Sequence, residues 1–142
     1  MTGGELTGSW QQDLQANLDL GGKMELYIGG YAQGKLECIQ KEHPGLKVID
    51  EKNFGDYTEA DGTVIIDHLH LVIKEFGAEA VRAFLRKRND FIVICDEIGN
   101  GIVPVSQEER TYREETGRLL IELASASERV GRIICGMIQI IK

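Results

Sequence analysis

Short apolar runs alternate with more polar, helix-forming stretches from Met24 to the end of the chain. The apolar runs are brief, lie between turn residues and are rich in β-branched side chains, which is typical of buried strands. Because strands that alternate with helices form parallel βαβ units, the pattern predicts an α/β fold with a mostly parallel sheet and a C-terminal strand pair. The predicted strands are Met24–Ile28, Leu46–Ile49, Val64–Ile66, Phe91–Cys95, Arg129–Cys135 and Met137–Ile141.

One long helical stretch between these strands begins at Asp67 and reaches about Arg88. Its apolar residues recur at steps of three and four, which predicts one buried helix face. Gly77 lies within the stretch and is a candidate break. The residues of the predicted face are Ile73, Phe76, Ala80 and Phe84.

Two further helices begin or end at residues with capping or breaking roles. Lys35–Glu42 contains helix formers and stops before Pro44, because proline cannot continue a helix. Ser106 and Glu109 fit a capping box, in which the side chains satisfy backbone N–H groups of the first turn. The helix that begins there is predicted to end at about Ser127.

Residues 1–23 differ in composition from the pattern that follows. They contain five glycines and many Gln, Asn and Asp residues, with only Leu14 and Leu18 at helical spacing. We therefore predict a flexible N-terminal extension over residues 1–23, with one short helical piece around Ser9–Leu18. Residues 24–142 are predicted to form the domain proper.

Composition and charge narrow the classes of function. The chain has 142 residues, enough for one domain, and its 16 basic and 23 acidic residues give a net charge of −7, which disfavours non-specific binding to nucleic acid. The longest apolar run, Phe91–Cys95, is too short to cross a bilayer, and the N-terminus does not resemble a secretory signal, so we expect no membrane association. Three widely spaced cysteines leave one thiol unpaired, which favours a reducing, cytoplasmic setting.

A glycine-rich loop between the first strand and the first helix matches the phosphate-binding pattern G-x-x-x-x-G-K. In such a loop, backbone N–H groups and a helix N-terminus face the phosphate oxygens. Its lysine, Lys35, would reach the β- and γ-phosphates and stabilise the transferred phosphoryl group. The alternative is a turn that only packs closely and leaves Lys35 in solvent. The predicted nucleotide contacts are Gly29, Gly30, Tyr31, Ala32, Gln33, Gly34, Lys35 and Leu36.

Two acidic segments follow predicted strands and are candidates for metal and substrate contacts. Asp67 comes after Val64–Ile66, where P-loop proteins place a Mg²⁺-binding carboxylate, although Asp is also a common helix N-cap. Asp96 and Glu97 follow Phe91–Cys95, at the edge where open α/β sheets bind ligands. We favour Glu97 over Asp96 as the group that orients a water, a metal or a substrate hydroxyl, with loop capping as the alternative.

Leu36 departs from the pattern at the position of the hydroxyl that ligates Mg²⁺. The pattern has Ser or Thr after the lysine, and a leucine side chain cannot coordinate a metal. Either Mg²⁺ is held by carboxylates and water, or metal-dependent phosphoryl transfer is weak or lost. We assign catalytic roles to Lys35, Asp67 and Glu97, and metal binding to Asp67 and Glu97.

Two histidines and two arginines near these segments have more ordinary alternatives. His68 and His70 are two positions apart and would point to different sides of a helix, so a structural or surface role is favoured over a role at phosphate. Arg110 and Arg113 are neighbours on the last helix and are candidate contacts for the nucleotide. Charge clusters of this kind usually form a solvated, ion-paired helix face.

Four segments outside the phosphate loop carry the similarity to one protein family. They are Asp96–Pro104, Arg110–Glu114, Gly117–Arg118 and Cys135–Lys142. Together with the loop Gly29–Leu36 and the pair Ile66–Asp67, they resemble the adenosylcobinamide kinase/adenosylcobinamide-phosphate guanylyltransferase family. The resemblance extends over about residues 24–142 and is most specific from Phe91 onward.

The resemblance implies a RecA-like P-loop domain, built as a three-layer sandwich, that assembles as a homotrimer and acts in cobalamin biosynthesis. Members of the family phosphorylate the hydroxyl of adenosylcobinamide, a corrinoid, with a nucleoside triphosphate, here GTP or ATP. They then transfer GMP to that phosphate through a guanylylated histidine between the second and third strands. The corresponding segment, Asp50–Thr63, contains no histidine, which counts against guanylyl transfer and leaves the kinase step as the expected activity.

A function without catalysis is the alternative. A nucleotide-binding regulatory or partner protein of the cobalamin pathway would keep the phosphate loop without turnover, and both Leu36 and the missing histidine segment favour it. Both hypotheses predict a nucleotide as ligand, and the kinase hypothesis adds a corrinoid.

Overall fold

A six-stranded, mostly parallel sheet forms the centre of the structure, which is a computed structural model. The residues that the structure describes are 10–16, 21–31, 33–56, 62–87, 90–97 and 106–142. The strand order is β2-β3-β4-β1-β5-β6, and neighbouring strands are parallel except for the antiparallel pair β5–β6. This confirms the predicted α/β class and C-terminal strand pair and is consistent with a P-loop-like fold. The strands are β1 (Met24–Gly29), β2 (Lys47–Ile49), β3 (Val64–Ile66), β4 (Phe91–Asp96), β5 (Arg129–Ile134) and β6 (Met137–Ile140).

The helices occur where the sequence pattern predicts them, with ends that differ by a few residues. The Ser106 Oγ accepts a hydrogen bond from the Glu109 backbone N–H at 3.1 Å, as the predicted capping box requires. None of the helices in the described part of the chain combines the length and apolar character needed to span a bilayer. The helices are α1 (residues 10–16), α2 (Lys35–Glu42), α3 (Leu69–Phe76), α4 (Ala78–Arg86) and α5 (Gln107–Ala126), with a short 3₁₀ turn at Phe54–Asp56.

The sheet separates two apolar layers, because successive side chains of a strand point to opposite faces. One face, which includes Leu26 and Val93, packs with α1, α3, α4 and α5 in the larger core cluster. The opposite face, which includes Tyr27 and Ile94, packs with Ile39 of α2 in a smaller cluster. The result is a three-layer arrangement in which α2 and the loop before it lie on the thinner side.

Gly77 divides the long predicted helix into α3 and α4. Its φ of +89° is accessible to glycine and unfavourable for other residues, so the chain changes direction there. The predicted single face is therefore only partly right. Ile73 is buried, and Ala80 and Phe84 are partly buried against the larger core cluster, but Phe76 is 39% exposed. The most deeply buried apolar residues of α4 are Val81 and Leu85.

Residues 10–16 form the helix α1, which lies within the predicted helical piece Ser9–Leu18, and this helix packs into the core. Trp10 and Leu14 lie one helical turn apart, are fully buried and belong to the larger core cluster. Asp13 Oδ2 also lies 3.2 Å from Arg86 Nε of α4. Residues 1–9 and 17–20 of the predicted extension, and residues 98–104 of the segment Asp96–Pro104 that carries the family resemblance, lie outside the described residues.

Candidate functional site

A cleft of about 850 Å³ lies at the carboxyl edge of the sheet, where the glycine-rich loop before α2 meets the ends of β3 and β4. Among the described residues that line it are Lys35, Asp67, His68, His70 and Asp96. Two of the three predicted catalytic residues therefore share one site with the glycine-rich loop. The edge is the one at which parallel α/β sheets bind ligands.

At two positions of the loop, steric or backbone constraints favour glycine over any other residue. A Cβ on Gly29 would lie 2.6 Å from the backbone carbonyl oxygen of Ile133, so β1 and β5 could not keep their spacing. Gly34 is the N-cap of α2 and has a φ of +74°. Because Gly34 has no side chain to cap the helix, the first-turn N–H groups of α2 are suited to an anionic ligand.

The remaining loop residues surround this helix end. Tyr31 is 86% exposed and lines the cleft together with Gln33. Leu36 also lines the cleft and packs against the smaller core cluster, so its side chain supports α2 where a metal-binding pattern would have a hydroxyl. Ala32 lies outside the described residues.

Lys35 points into the site rather than into bulk solvent. Its side chain is 8% exposed, and its Nζ lies 2.5 Å from Asp96 Oδ1 and donates a hydrogen bond to the Gly30 carbonyl oxygen at 2.8 Å. Lys35 therefore does not lie in solvent, where the alternative of a closely packed turn would leave it. The ammonium group is held at the mouth of the loop, where it can reach a bound phosphate.

Asp67 is buried at the end of β3 and lines the cleft. Burial raises the pKa of Asp67, and the electrostatic interaction with His68, the hydrogen bond from the His68 backbone N–H and the Lys35 ammonium group offset this only in part. Asp67 is not the cap of α3, since the N-cap residue is His68, in a left-handed conformation with a φ of +54°. A non-glycine residue in this conformation is uncommon and often lies at a functional site.

His68 and His70 both face the cleft, so the prediction that they point to different sides is wrong. The prediction assumed that both residues are helical, whereas His68 precedes the helix in its left-handed conformation. His68 Nδ1 lies 3.2 Å from Glu51 Oε1, and its Nε2 lies 3.6 Å from Asp67 Oδ2. His70 lies against Asp96, with 3.3 Å between His70 Nε2 and Asp96 Oδ2.

The structure brings Asp96, not the favoured Glu97, to Lys35. Glu97 Oε1 lies 2.8 Å from Arg132 Nε, and Glu97 is absent from the described residues that line the cleft. The pairing of β1 with β4 explains the difference, because Asp96 is the register partner of Gly29, the first residue of the loop. This pairing, and the contact of His70 with Asp96, depend on long-range packing and have no local signal in the sequence.

The two predicted arginine contacts are not part of this cleft. Arg113 Nε lies 3.5 Å from Glu109 Oε1, one helical turn away on α5, and Arg110 is exposed on the same helix. Neither is among the described residues that line the cleft. Arg113 has an ion-pair partner of the kind that the alternative of an ion-paired helix face expects, and a nucleotide contact of the two arginines stays a prediction.

The side chains that line the cleft offer few possible ligands for Mg²⁺. Across the described ranges, no group of three or more His, Cys, Asp or Glu side chains is arranged to hold a metal ion. Mg²⁺ in phosphoryl-transfer sites commonly uses one or two carboxylates and completes its shell with water and substrate phosphates. Of the two predicted ligands, Asp67 fits this role because it faces the cleft, whereas the Glu97 carboxylate is paired with Arg132.

Comparison with known proteins gives one family. A family model described as cobinamide kinase/cobinamide phosphate guanyltransferase matches residues 52–141, more than half of the chain. The matched range begins after the phosphate loop and includes Asp67, His70, Asp96 and the β5–β6 hairpin. No curated protein matches the chain.

Proposed function

The chain belongs to the cobinamide kinase/cobinamide phosphate guanyltransferase family of cobalamin biosynthesis, whose members act on nucleotide and cobinamide substrates, and we propose that it is a kinase for the hydroxyl group of adenosylcobinamide. GTP or ATP would donate the phosphoryl group. The observation that carries the proposal is the position of Lys35 Nζ, at the junction of the phosphate loop, the α2 N-terminus and the carboxylates of the cleft.

The cleft offers the electrostatic parts that phosphoryl transfer needs. Backbone N–H groups of the first turn of α2 and the Lys35 ammonium group would bind the β- and γ-phosphates and stabilise the charge that develops on the transferred group. Asp67 would hold a Mg²⁺ ion that enters with the nucleotide, and this ion would neutralise phosphate charge. Catalysis of this kind depends on positioning and charge, so a small domain can supply it.

The proposal covers the kinase step and not guanylyl transfer. The segment between β2 and β3 is short, and Asp50–Thr63 contains no histidine that could carry a guanylyl group. The expected products are therefore cobinamide phosphate and a nucleoside diphosphate.

A kinase assay tests the proposal with a matched pair of lysine variants. Purified protein is incubated with GTP or ATP, Mg²⁺ and adenosylcobinamide, and cobinamide phosphate is measured. Lys35→Ala should lower kcat/KM by about 10²-fold or more, because it removes a charge that stabilises the transition state. Lys41→Ala removes an exposed lysine from the same helix and should leave the rate unchanged. A wild-type protein that binds nucleotide but forms no product would contradict the kinase proposal.

A nucleotide-binding protein without catalysis is the second candidate, and Leu36 is the observation that favours it. Leu36 contributes an apolar side chain where the phosphate-loop pattern has a Mg²⁺-ligating hydroxyl. Such a regulatory or partner protein should bind GTP or ATP with an affinity that Mg²⁺ does not change. Calorimetry with and without Mg²⁺, combined with the kinase assay, distinguishes the two candidates.

A further inference from the structure

A chain of polar contacts runs from the phosphate-loop lysine to a buried histidine. Asp96 links the two, since its Oδ1 lies 2.5 Å from Lys35 Nζ and its Oδ2 lies 3.3 Å from His70 Nε2. The Asp96 backbone N–H also donates a hydrogen bond to His70 Nδ1 at 3.3 Å. One imidazole therefore contacts both the backbone and the carboxylate of Asp96.

These contacts determine which nitrogen of His70 carries the proton. Because Nδ1 accepts a hydrogen bond, the neutral ring carries its proton on Nε2, the atom that faces the Asp96 carboxylate. Burial lowers the pKa of His70, although the negative charge of Asp96 acts in the opposite direction, so the neutral ring is favoured at pH 7. The Tyr112 hydroxyl donates a hydrogen bond to the His70 carbonyl oxygen at 2.8 Å and ties the start of α3 to α5.

We infer that Asp96 accepts the proton of the attacking hydroxyl in phosphoryl transfer, and that His70 positions the Asp96 carboxylate for this role. The inference rests on the proposed kinase function. A phosphate-loop lysine contacts the β- and γ-phosphates, so a carboxylate on its Nζ lies within reach of an alcohol that attacks the γ-phosphorus. Asp96 lines the cleft and is 20% exposed, which leaves its carboxylate accessible to a substrate.

The reaction balances without a further reactant. The acceptor hydroxyl oxygen forms a bond to the γ-phosphorus, and the bond from the γ-phosphorus to the β–γ bridging oxygen breaks. The nucleoside diphosphate leaves with the electron pair of that bond. The hydroxyl proton moves to a carboxylate oxygen of Asp96 and is later released to water.

The same carboxylate should oppose nucleotide binding before the reaction. Asp96 Oδ1 forms an ion pair with Lys35 Nζ, so phosphate oxygens must replace it at Nζ and then lie close to its negative charge. Removal of this charge should therefore affect binding and turnover in opposite directions. A residue that only supports the fold would not separate the two effects in this way.

Asp96→Asn is the direct test, with Asp90→Asn as its control. Asp90 lies at the other end of the same strand, where its Oδ1 accepts a hydrogen bond from the Lys23 backbone N–H at 2.6 Å. Asp96→Asn should bind GTP or ATP about threefold to tenfold more tightly in calorimetry without acceptor. Its kcat with adenosylcobinamide should fall by about 10²-fold. Equal or weaker nucleotide binding, or a wild-type kcat, would overturn the inference.

His70 is tested through its dependence on Asp96. His70→Ala should lower kcat by about tenfold while the KM for adenosylcobinamide changes by less than about twofold, and His43→Ala at the far end of α2 should leave both unchanged. In the Asp96→Asn background, His70→Ala should cause no further loss of kcat, because its partner is already removed. A full additional loss in that background would overturn the positioning role.

Failure of this inference and failure of the kinase function give different results. A wild-type protein without turnover on adenosylcobinamide would exclude the kinase function and, with it, the role of Asp96 as a base. The calorimetric comparison would still decide whether Asp96 competes with phosphate for Lys35. If wild-type and Asp96→Asn proteins turn over equally well, only the inference about Asp96 fails.

Discussion

The backbone N–H of Cys135 donates a hydrogen bond to Gln33 Oε1 at 2.7 Å, across 102 positions of sequence. The next N–H, that of Gly136, donates to the Gln33 carbonyl oxygen at 2.9 Å. The turn between β5 and β6 therefore contacts the glycine-rich loop through one residue, Gln33, which accepts both hydrogen bonds. The C-terminal hairpin thus helps to set the shape of a loop that is encoded near the other end of the chain.

We predict that Gln33→Ala weakens nucleotide binding without unfolding the protein. The variant loses one side-chain hydrogen bond that keeps the loop in its binding conformation, and a loss of about 0.5–1.5 kcal/mol corresponds to about twofold to twelvefold weaker affinity. Calorimetry with GTP or ATP measures the change. Gln139→Ala, an exposed glutamine on β6 of the same hairpin, is the matched control and should bind like the wild type. Equal affinities for the two variants would show that the contact with Cys135 does not support the loop.

Local signals in the sequence predicted much of the fold. The capping box at Ser106, the stop before Pro44 and the break at Gly77 each act within a few residues, and the structure has helix boundaries at all three. The strands were recognisable because a parallel sheet with helices on both faces buries continuous apolar runs. Local signals also singled out the glycine-rich loop and Asp67 after β3, which line the same cleft, although the binding of phosphate there stays a prediction.

Local signals in the sequence could not predict the long-range contacts that join these elements. The sequence favours Glu97 over Asp96 as the functional carboxylate, whereas Asp96 is the one that contacts Lys35. Nothing in the local pattern shows which of two neighbouring carboxylates faces a lysine 61 positions earlier. The helical spacing of Leu14 and Leu18 predicts a short helix, but nothing local indicates that Trp10 and Leu14 belong to the core of the domain. Glu122 lies beside the buried Leu123 on α5, and nothing in the local pattern indicates that its partner is the buried Arg82.

Removal of either partner of the buried ion pair between Arg82 and Glu122 should destabilise the protein. The Arg82 guanidinium contacts both carboxylate oxygens, with 3.0 Å from Nη2 to Oε1 and 3.3 Å from Nε to Oε2, and both residues are buried between α4 and α5. Glu122→Ala leaves a buried guanidinium with one partner fewer. We expect a loss of about 3–5 kcal/mol in the free energy of unfolding, measured by urea denaturation.

Two further variants make this prediction specific. Arg118→Ala removes an exposed arginine from α5 and should change the free energy of unfolding by less than about 0.5 kcal/mol. The double variant Arg82→Met/Glu122→Leu should be more stable than Glu122→Ala, because it replaces both charges with apolar groups of similar size. A double variant as unstable as the single one would indicate that lost packing, rather than an uncompensated charge, causes the effect.

Trp10→Ala should destabilise the domain if residues 10–16 are part of its core. The side chain is fully buried, and truncation of a buried Trp typically costs about 3–5 kcal/mol. Trp10→Phe should lower the free energy of unfolding much less, because the phenyl ring keeps most of the apolar contact. The substitution also removes an indole N–H that has no hydrogen-bond partner among the described groups. Gln11→Ala, on the exposed side of the same helix, is the control.

Fluorescence gives an independent measurement of the same packing. Trp10 is the single tryptophan of the chain, so its emission reports on this helix alone. The native protein should emit at short wavelength, and the emission should shift to longer wavelength in the same urea transition that circular dichroism detects. A long-wavelength emission before unfolding would contradict the burial of Trp10.

Asp67→Asn should stabilise the protein at neutral pH and lose this advantage in acid. Burial raises the pKa of Asp67 in the folded state, so the folded protein binds a proton more readily than the unfolded chain, and stability falls as pH rises from the unfolded pKa of about 3.9 through the higher folded value. Above this window the ionised carboxylate opposes folding, and Asn removes that cost while it keeps an oxygen acceptor. Below about pH 3.9 both states are protonated, so the two proteins should converge.

Thermal unfolding at a series of pH values measures this difference, with Asp90→Asn as the matched carboxylate-to-amide control. The gain in midpoint temperature of Asp67→Asn over the wild type should be largest at pH 7 and should close as the pH is lowered. A gain that persists at pH 3 would have a cause other than the charge of Asp67. Because natural proteins retain such costs mainly at functional sites, a more stable Asp67→Asn variant with reduced kinase activity would connect the buried carboxylate to the reaction in the cleft.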